Sequence, residues 1–202
     1  MTRDENDLHR QRTARQKEAF EERKAKATRE KGLIIVHTGA GKGKTTAALG
    51  LAFRALGQGM KVGIVQFIKG AIPTGEAGLA ARLAGFGLEM HTMGDGFTWN
   101  TQDRDRDTAS ARRAWEKARA LLRDPSFGLV ILDELNVVIK HGYLPLDEVL
   151  EELRRKREML HVVVTGRNAR DELVDLADLV TEMKLVKHPY RAGVKAQKGV
   201  EY

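Results

Sequence analysis

The stretch Leu33-Ile34-Ile35-Val36-His37-Thr38-Gly39-Ala40-Gly41-Lys42-Gly43-Lys44-Thr45-Thr46 decides how this 202-residue chain is read. Its first four residues form a short continuous apolar run, the mark of a strand buried on both faces of a parallel sheet. A glycine-rich turn follows, and residues 45–56, rich in Ala and Leu and stopped by Gly57, read as a helix. Strand, glycine turn and helix in that order are the setting in which backbone N–H groups and a helix amino terminus receive phosphate. Glycines at 39, 41 and 43 are expected to turn the backbone through positive φ and to leave N–H groups free to converge on oxyanions. Lys44 is then placed on phosphate oxygens and the Thr45 hydroxyl on Mg²⁺, with Ala40, Lys42 and Thr46 completing the nucleotide contacts. The usual loop begins with Gly, then four residues, then Gly-Lys-Ser/Thr; here the first position is Thr38.

Outward from this unit, apolar runs and alternation predict strands at 62–67, 88–93, 129–132, 162–164 and 179–186. Helical patterns fall at 76–83, 104–122, 146–159 and 171–176, with a loop at 94–103. Strands alternating with helices predict βαβ units and a three-layer α/β fold with a mostly parallel sheet over residues 32–202. Residues 1–31 differ. They carry 17 charged side chains and few large apolar ones, chiefly Leu8 and Phe20. That composition reads either as a charged helical extension, marginal by itself, or as a solvated tail. Residues 187–202, with Gly193 and Gly199 among scattered lysines, read as irregular.

The formal net charge of +7 at first suggests a polyanion partner such as nucleic acid. Its distribution argues otherwise. Residues 1–32 hold ten Lys/Arg against seven Asp/Glu, and residues 187–202 hold four against one, so each end carries +3. The middle is left with +1, close to neutral. Cysteine is absent, which excludes disulfides, thiolate metal sites and a catalytic thiol, and suits a reducing cytoplasm. The stretch MTRDENDLHRQR lacks the apolar core of a signal peptide, and no apolar run nears membrane-spanning length.

A second chemical signal is Leu129-Val130-Ile131-Leu132-Asp133-Glu134, a buried strand that delivers carboxylates at its carboxyl end, where α/β sheets bind ligands. Asp133 or Glu134 is expected to hold Mg²⁺ directly or through water. Binding of Mg·ATP follows from these residues; the reaction does not, because the same pair suits an ATPase whose Glu polarises water. Arg167, in Thr165-Gly166-Arg167 after a predicted strand, reads equally as a phosphate or ribose contact and as a capping arginine of the loop. Phe97 and Trp99, between Gly94 and Gly96 and the next helix, read on composition alone as loop aromatics covering the core edge. His37 reads as a core or supporting histidine rather than a ligand, and Trp115, on one face with Ala111, Ala118 and Leu122, as core.

Six segments in order, GAGKGKTT (39–46), VQFIKG (65–70), MGDGFTW (93–99), LDELN (132–136), TGR (165–167) and VKHPYRAGVKAQKGVEY (186–202), resemble the ATP:corrinoid adenosyltransferases of cobalamin biosynthesis and salvage. That family also places Thr at the first loop position. The resemblance implies a P-loop NTPase fold of the RecA-like kind and transfer of the 5′-deoxyadenosyl group of ATP to a reduced corrinoid, with release of inorganic triphosphate. It implies roles for Lys44 and Lys42 on the leaving triphosphate, and for Thr45, Asp133 and Glu134 at Mg²⁺ or Mn²⁺, since oxygen ligands suit both. It assigns Arg167 with Gly39 to Thr46 to ATP. It makes Phe97 and Trp99 the residues that pack beneath the corrin ring and keep the lower axial ligand off cobalt. The implied partners are ATP, the corrinoid, a second copy in a homodimer and a reducing flavoprotein, with neither membrane nor nucleic acid involved and a cytoplasmic location.

Overall fold

A computed structural model of the chain describes residues 3–68, 74–93 and 103–201. It divides into two compact units, Met1–Lys31 and Gly32–Tyr202. The first is dominated by one helix, α1 (Arg3–Lys26), made of strong helix formers and closed by Arg23, Lys24 and Lys26 in its last turn, where cations favour the dipole. Its described surface is polar nearly all round, and Leu8 and Phe20 are exposed.

The second unit is built on six strands: β1 (Ile34–Thr38), β2 (Lys61–Gln66), β3 (Leu88–Thr92), β4 (Phe127–Asp133), β5 (His161–Thr165) and β6 (Leu179–Glu182). Their order is β3-β2-β4-β5-β1-β6, and every pairing is parallel. The helices are α2 (Lys44–Gly57), α3 (Gly75–Leu83), α4 (Arg104–Arg123), α5 (Leu135–Lys140), α6 (Leu146–Arg154) and α7 (Asp171–Leu176).

The period of two along each strand divides the apolar residues between the two faces of the sheet. Ile34, Val36, Val130, Leu132, Val162 and Val164 join Trp115, Leu121, Leu150 and Leu153 of α4 and α6 in one core. Ile35, Leu129, Ile131 and Val163 join Ala48, Ala52 and Ala55 of α2 in the other. The three-layer α/β fold expected from the sequence is therefore present. Trp115 is fully buried as anticipated, with its indole N–H donating to Glu148 at 2.7 Å. Arg123 forks onto Glu152 at 2.8 and 2.6 Å between α4 and α6. Such exposed ion pairs add little beside the about 1.5–3 kcal/mol of each fully buried Val or Leu. The apolar seams decide the packing.

Two boundaries and one helix depart from the pattern reading. The helix expected at 146–159 stops at Arg154, because Met159 is 55% exposed and the chain must reverse to bring Leu160, fully buried, into β5. The strand expected at 179–186 stops at Glu182, because its partner β1 ends at Thr38, the residue paired with Glu182. Helix α5 has no counterpart in the pattern, since Leu135, Asn136, Val138 and Ile139 are all buried and the six-residue element shows no clear 3.6-residue period.

β1 begins beside His161: the Leu33 N–H donates to its Nδ1 at 3.2 Å, which requires that nitrogen to be unprotonated. Burial, reinforced by the nearby Lys156, lowers the His161 pKa from its ordinary value. A lowered histidine pKa means the neutral ring stabilises the fold above about pH 6.5, and that this stabilisation is lost as pH falls from there through the lower folded-state value. The urea midpoint is expected to fall between pH 7 and 5.5. His161→Asn, whose Oδ1 can still accept the Leu33 N–H, should flatten that slope. An unchanged slope in the variant would assign the acid loss to other groups.

Candidate active site

Four adjacent strands end in a buried polar residue at the carboxyl edge of the sheet: Gln66 on β2, Asp133 on β4, Thr165 on β5 and His37 next to the end of β1. A buried polar group costs free energy unless it is hydrogen-bonded, so these residues must find each other or the loops above them. Their partners define the site.

Asp133 is the centre. Its Oδ1 accepts from the Thr45 hydroxyl at 2.9 Å and from the Thr165 hydroxyl at 2.7 Å, and its Oδ2 accepts from Gln66 Nε2 at 3.1 Å. Gln66 is oriented in turn by Thr92, whose hydroxyl donates to its Oε1 at 3.1 Å. Thr165 also accepts the Glu134 N–H at 2.9 Å. Glu134 takes a left-handed backbone (φ 63°) and caps α5 without any cap bond from its side chain. A capping role thus does not explain its carboxylate. The Thr45 hydroxyl and the Asp133 carboxylate that meet here are oxygen groups of the kind that suit a hard divalent cation.

The phosphate loop stands over this edge. Gly43 caps α2 in a left-handed conformation (φ 106°), and Gly39 is also left-handed, as anticipated. Gly41 is not. It is glycine for a packing reason: a Cβ there would lie 2.7 Å from the carbonyl oxygens of both Met183 and Lys184. Its N–H, expected to be free for an oxyanion, donates to the Met183 carbonyl at 2.6 Å. The segment after β6 therefore runs against the loop.

Lys44 is buried, and its ammonium donates to the carbonyls of Gly39 at 3.0 Å and Gly41 at 2.5 Å. Burial lowers its pKa; Glu134 opposes this, while Arg167 and Lys42 add to it. Lys42 is exposed and pairs with Glu201 of the carboxyl tail, and that contact holds the Glu201 carboxyl below its usual range. His37 is buried with Nδ1 3.3 Å from the Lys44 carbonyl oxygen, supporting the loop as the sequence suggested. Ala40 and Thr46 are exposed.

Arg167 lines a cleft of about 350 Å³ together with residues 38–40, 168–169 and Glu182. The structure thus gathers Gly39 to Thr45, Asp133, Glu134 and Arg167 at one edge. Phe97 and Trp99 lie outside the described residues; the strand before them ends at that same edge, where the Met93 carbonyl accepts from Ser110 at 2.9 Å. Gln66, Thr165, Asn136 and Glu201 had no assigned role in the sequence. The signal for the first two was legible, a single polar residue closing an otherwise apolar strand, whereas nothing local marks Glu201.

Residues 30–202 match the family model described as ATP:corrinoid adenosyltransferase BtuR/CobO/CobP. A corrinoid adenosyltransferase of Pseudomonas aeruginosa is 55% identical over 194 residues, 96% of this chain and 95% of that protein. One from Sinorhizobium sp is 51% identical, covering 96% and 91%. One from Escherichia coli K12 is 48% identical, covering 98% and 99%. Among solved structures, domain III of the Thermotoga maritima replication initiation protein DnaA is a loose likeness, with TM-score 0.36 and 15% identity over 79% of this chain and 57% of that one. On the extent of these matches and on the phosphate loop they span, the chain belongs to the ATP:corrinoid adenosyltransferase family, a family of transferases.

Proposed function

We propose that the protein transfers the 5′-deoxyadenosyl group of ATP to the cobalt of a reduced corrinoid and releases inorganic triphosphate. The observation that carries this reading is the phosphate loop with Lys44 at its base and Thr45 against Asp133, on a chain of this family. Co(I) supplies the electron pair that forms the Co–C5′ bond; the C5′–O bond breaks, and its pair leaves on the triphosphate oxygen. Cobalt passes formally from Co(I) to Co(III). No proton is abstracted, so the reaction needs no general base.

In this reading the loop serves a leaving group. Negative charge grows on the oxygen attached to the α-phosphate, and Lys44 and Lys42 stabilise it from fixed positions. Lys42 does so in exchange for Glu201. Thr45 and Asp133 would hold Mg²⁺, or Mn²⁺, with Glu134 beside them. The ion supplies charge neutralisation on the triphosphate when bound. Gly39 to Thr46 and Arg167 receive ATP along the loop and the cleft. Phe97 and Trp99 pack beneath the corrin and hold the lower axial ligand off cobalt, which makes Co(II) easier to reduce.

Residues 1–31 are an extension that serves corrinoid binding, and residues 32–202 form the catalytic domain. The protein works as a cytoplasmic homodimer supplied with electrons by a reducing flavoprotein. The basic ends serve substrate and not nucleic acid. Among the described residues no helix is long and apolar enough to cross a membrane.

Incubation with Mg·ATP and a chemically reduced corrinoid tests this. The expected products are adenosyl-cobalt, seen by its absorbance, and inorganic triphosphate in equal amounts; orthophosphate without a corrin spectral change would indicate an ATPase instead. Lys44→Ala should lower turnover by on the order of 10²-fold or more, the scale of one lost preorganised charge contact, and near-normal activity would remove Lys44 from the site. Phe97→Ala or Trp99→Ala should damage reaction from Co(II) corrinoid plus reductant far more than from preformed Co(I). Equal losses in both assays would reduce the aromatics to packing. Deleting residues 1–31 should raise the KM for corrinoid with the KM for ATP little changed; unaltered corrinoid KM would leave that segment a solvated tail.

A further inference from the structure

The first position of the phosphate loop is Thr38 where the usual loop has Gly, and the structure shows a use for the difference. Thr38 closes β1, and its hydroxyl oxygen accepts the N–H of Ala169 at 3.1 Å. Ala169 ends the short turn that follows β5 and carries Arg167. The rest of that turn is held from below: the Gly166 N–H donates to the His37 carbonyl at 3.2 Å, and Asn136 Nδ2 donates to the Gly166 carbonyl at 3.0 Å. Both of these bonds fix the start of the turn. Beyond it, Asn168 takes a left-handed backbone (φ 58°), a conformation that asparagine adopts more readily than most residues and that turns the chain toward Ala169. The far end of the turn is secured by the bond to Thr38. Arg167 lies between the two anchor points, exposed, with its side chain lining the cleft beside Gly39, Ala40 and Glu182.

We propose that Thr38 is a positioning residue. Its hydroxyl ties the Arg167 turn to the phosphate loop, so that the guanidinium is already fixed over the cleft when an anionic nucleotide arrives. A glycine at position 38 keeps the loop but leaves the Ala169 N–H without that acceptor, and the turn gains freedom that nucleotide binding must then remove. The lysines of the loop and Arg167 would thereby act on the polyphosphate as one rigid set of cations. The inference rests on the reading that Arg167 meets ATP, and it is independent of what happens to the corrinoid.

The experiment is a double-mutant cycle read by Mg·ATP binding without any corrinoid, with inorganic triphosphate as a second probe and thermal unfolding of the nucleotide-free protein alongside. Thr38→Val, which keeps the shape and removes the acceptor, should weaken Mg·ATP binding about fivefold, the order of one hydrogen bond. Thr38→Gly should do the same, and Thr38→Ser should restore affinity to within about twofold. Arg167→Ala should weaken binding at least as much as Thr38→Val. The double variant Thr38→Val/Arg167→Ala should bind no worse than Arg167→Ala alone, because without the guanidinium the tie has nothing left to position. Wild-type affinity in Thr38→Val or Thr38→Gly overturns the proposal, and so does strict additivity with Arg167→Ala. Wild-type affinity in Arg167→Ala overturns it together with the assignment of Arg167 to ATP. Intact coupling in a protein that fails to adenosylate corrinoid would leave the tie standing and remove only the proposed reaction.

Discussion

The carboxylate of Asp133 is the group around which this molecule is arranged. It is 1% exposed at the carboxyl end of β4, and an unpartnered charge in that position would be prohibitively costly. Three donors meet it, from the start of α2, the end of β2 and the end of β5. Those donors are available only because β4 lies between β2 and β5 while β5 lies between β4 and β1. The sheet order and the satisfaction of one buried acid are the same constraint. It also orients Thr45, the residue next to Lys44, and so joins the phosphate-binding helix to the opposite half of the sheet.

Around that polar edge the rest of the domain is simple hydrophobic packing. Two apolar cores, one on each face, press α2 and α3 against one side and α4 to α7 against the other. Helix α2 achieves a close approach with alanines at 48, 52 and 55, which brings its amino terminus over the sheet. Rigid packing of this kind is what holds the hydroxyl of Thr45 within 2.9 Å of Asp133.

The charge of the chain acquires a local meaning. The carboxyl tail, basic in sum, contributes its single acid, Glu201, to Lys42 of the phosphate loop. The segment just before the tail lies against Gly41, closely enough to exclude any side chain there. The basic end of the chain is thus engaged locally, on the glycine-rich loop. Two contacts, Lys42 with Glu201 and the Gly41 N–H on the Met183 carbonyl, tie this end of the chain to the loop.

Local pattern was enough for the strand, loop and helix of residues 33–57, for the alternation of strands and helices, and for the chemical types present at 44, 45, 133 and 134. Those features follow from burial, which has a period of two or 3.6 residues and can be read from neighbours in sequence. The pattern failed where burial is complete, as in α5, or where a strand ends because its partner ends, as in β6. It also left Gly41 with the wrong reason, a turn in place of a close approach. The bonds that assemble the site span 88 residues between Thr45 and Asp133, 67 between Gln66 and Asp133, and 159 between Lys42 and Glu201. Local sequence was enough to place Lys44, Thr45, Asp133 and Glu134 at the edge of the sheet; which side chains meet there, Gln66, Thr165 and Glu201 among them, follows only from the fold, because hydrogen bonds between distant segments depend on strand order and register and leave no periodic trace along the chain.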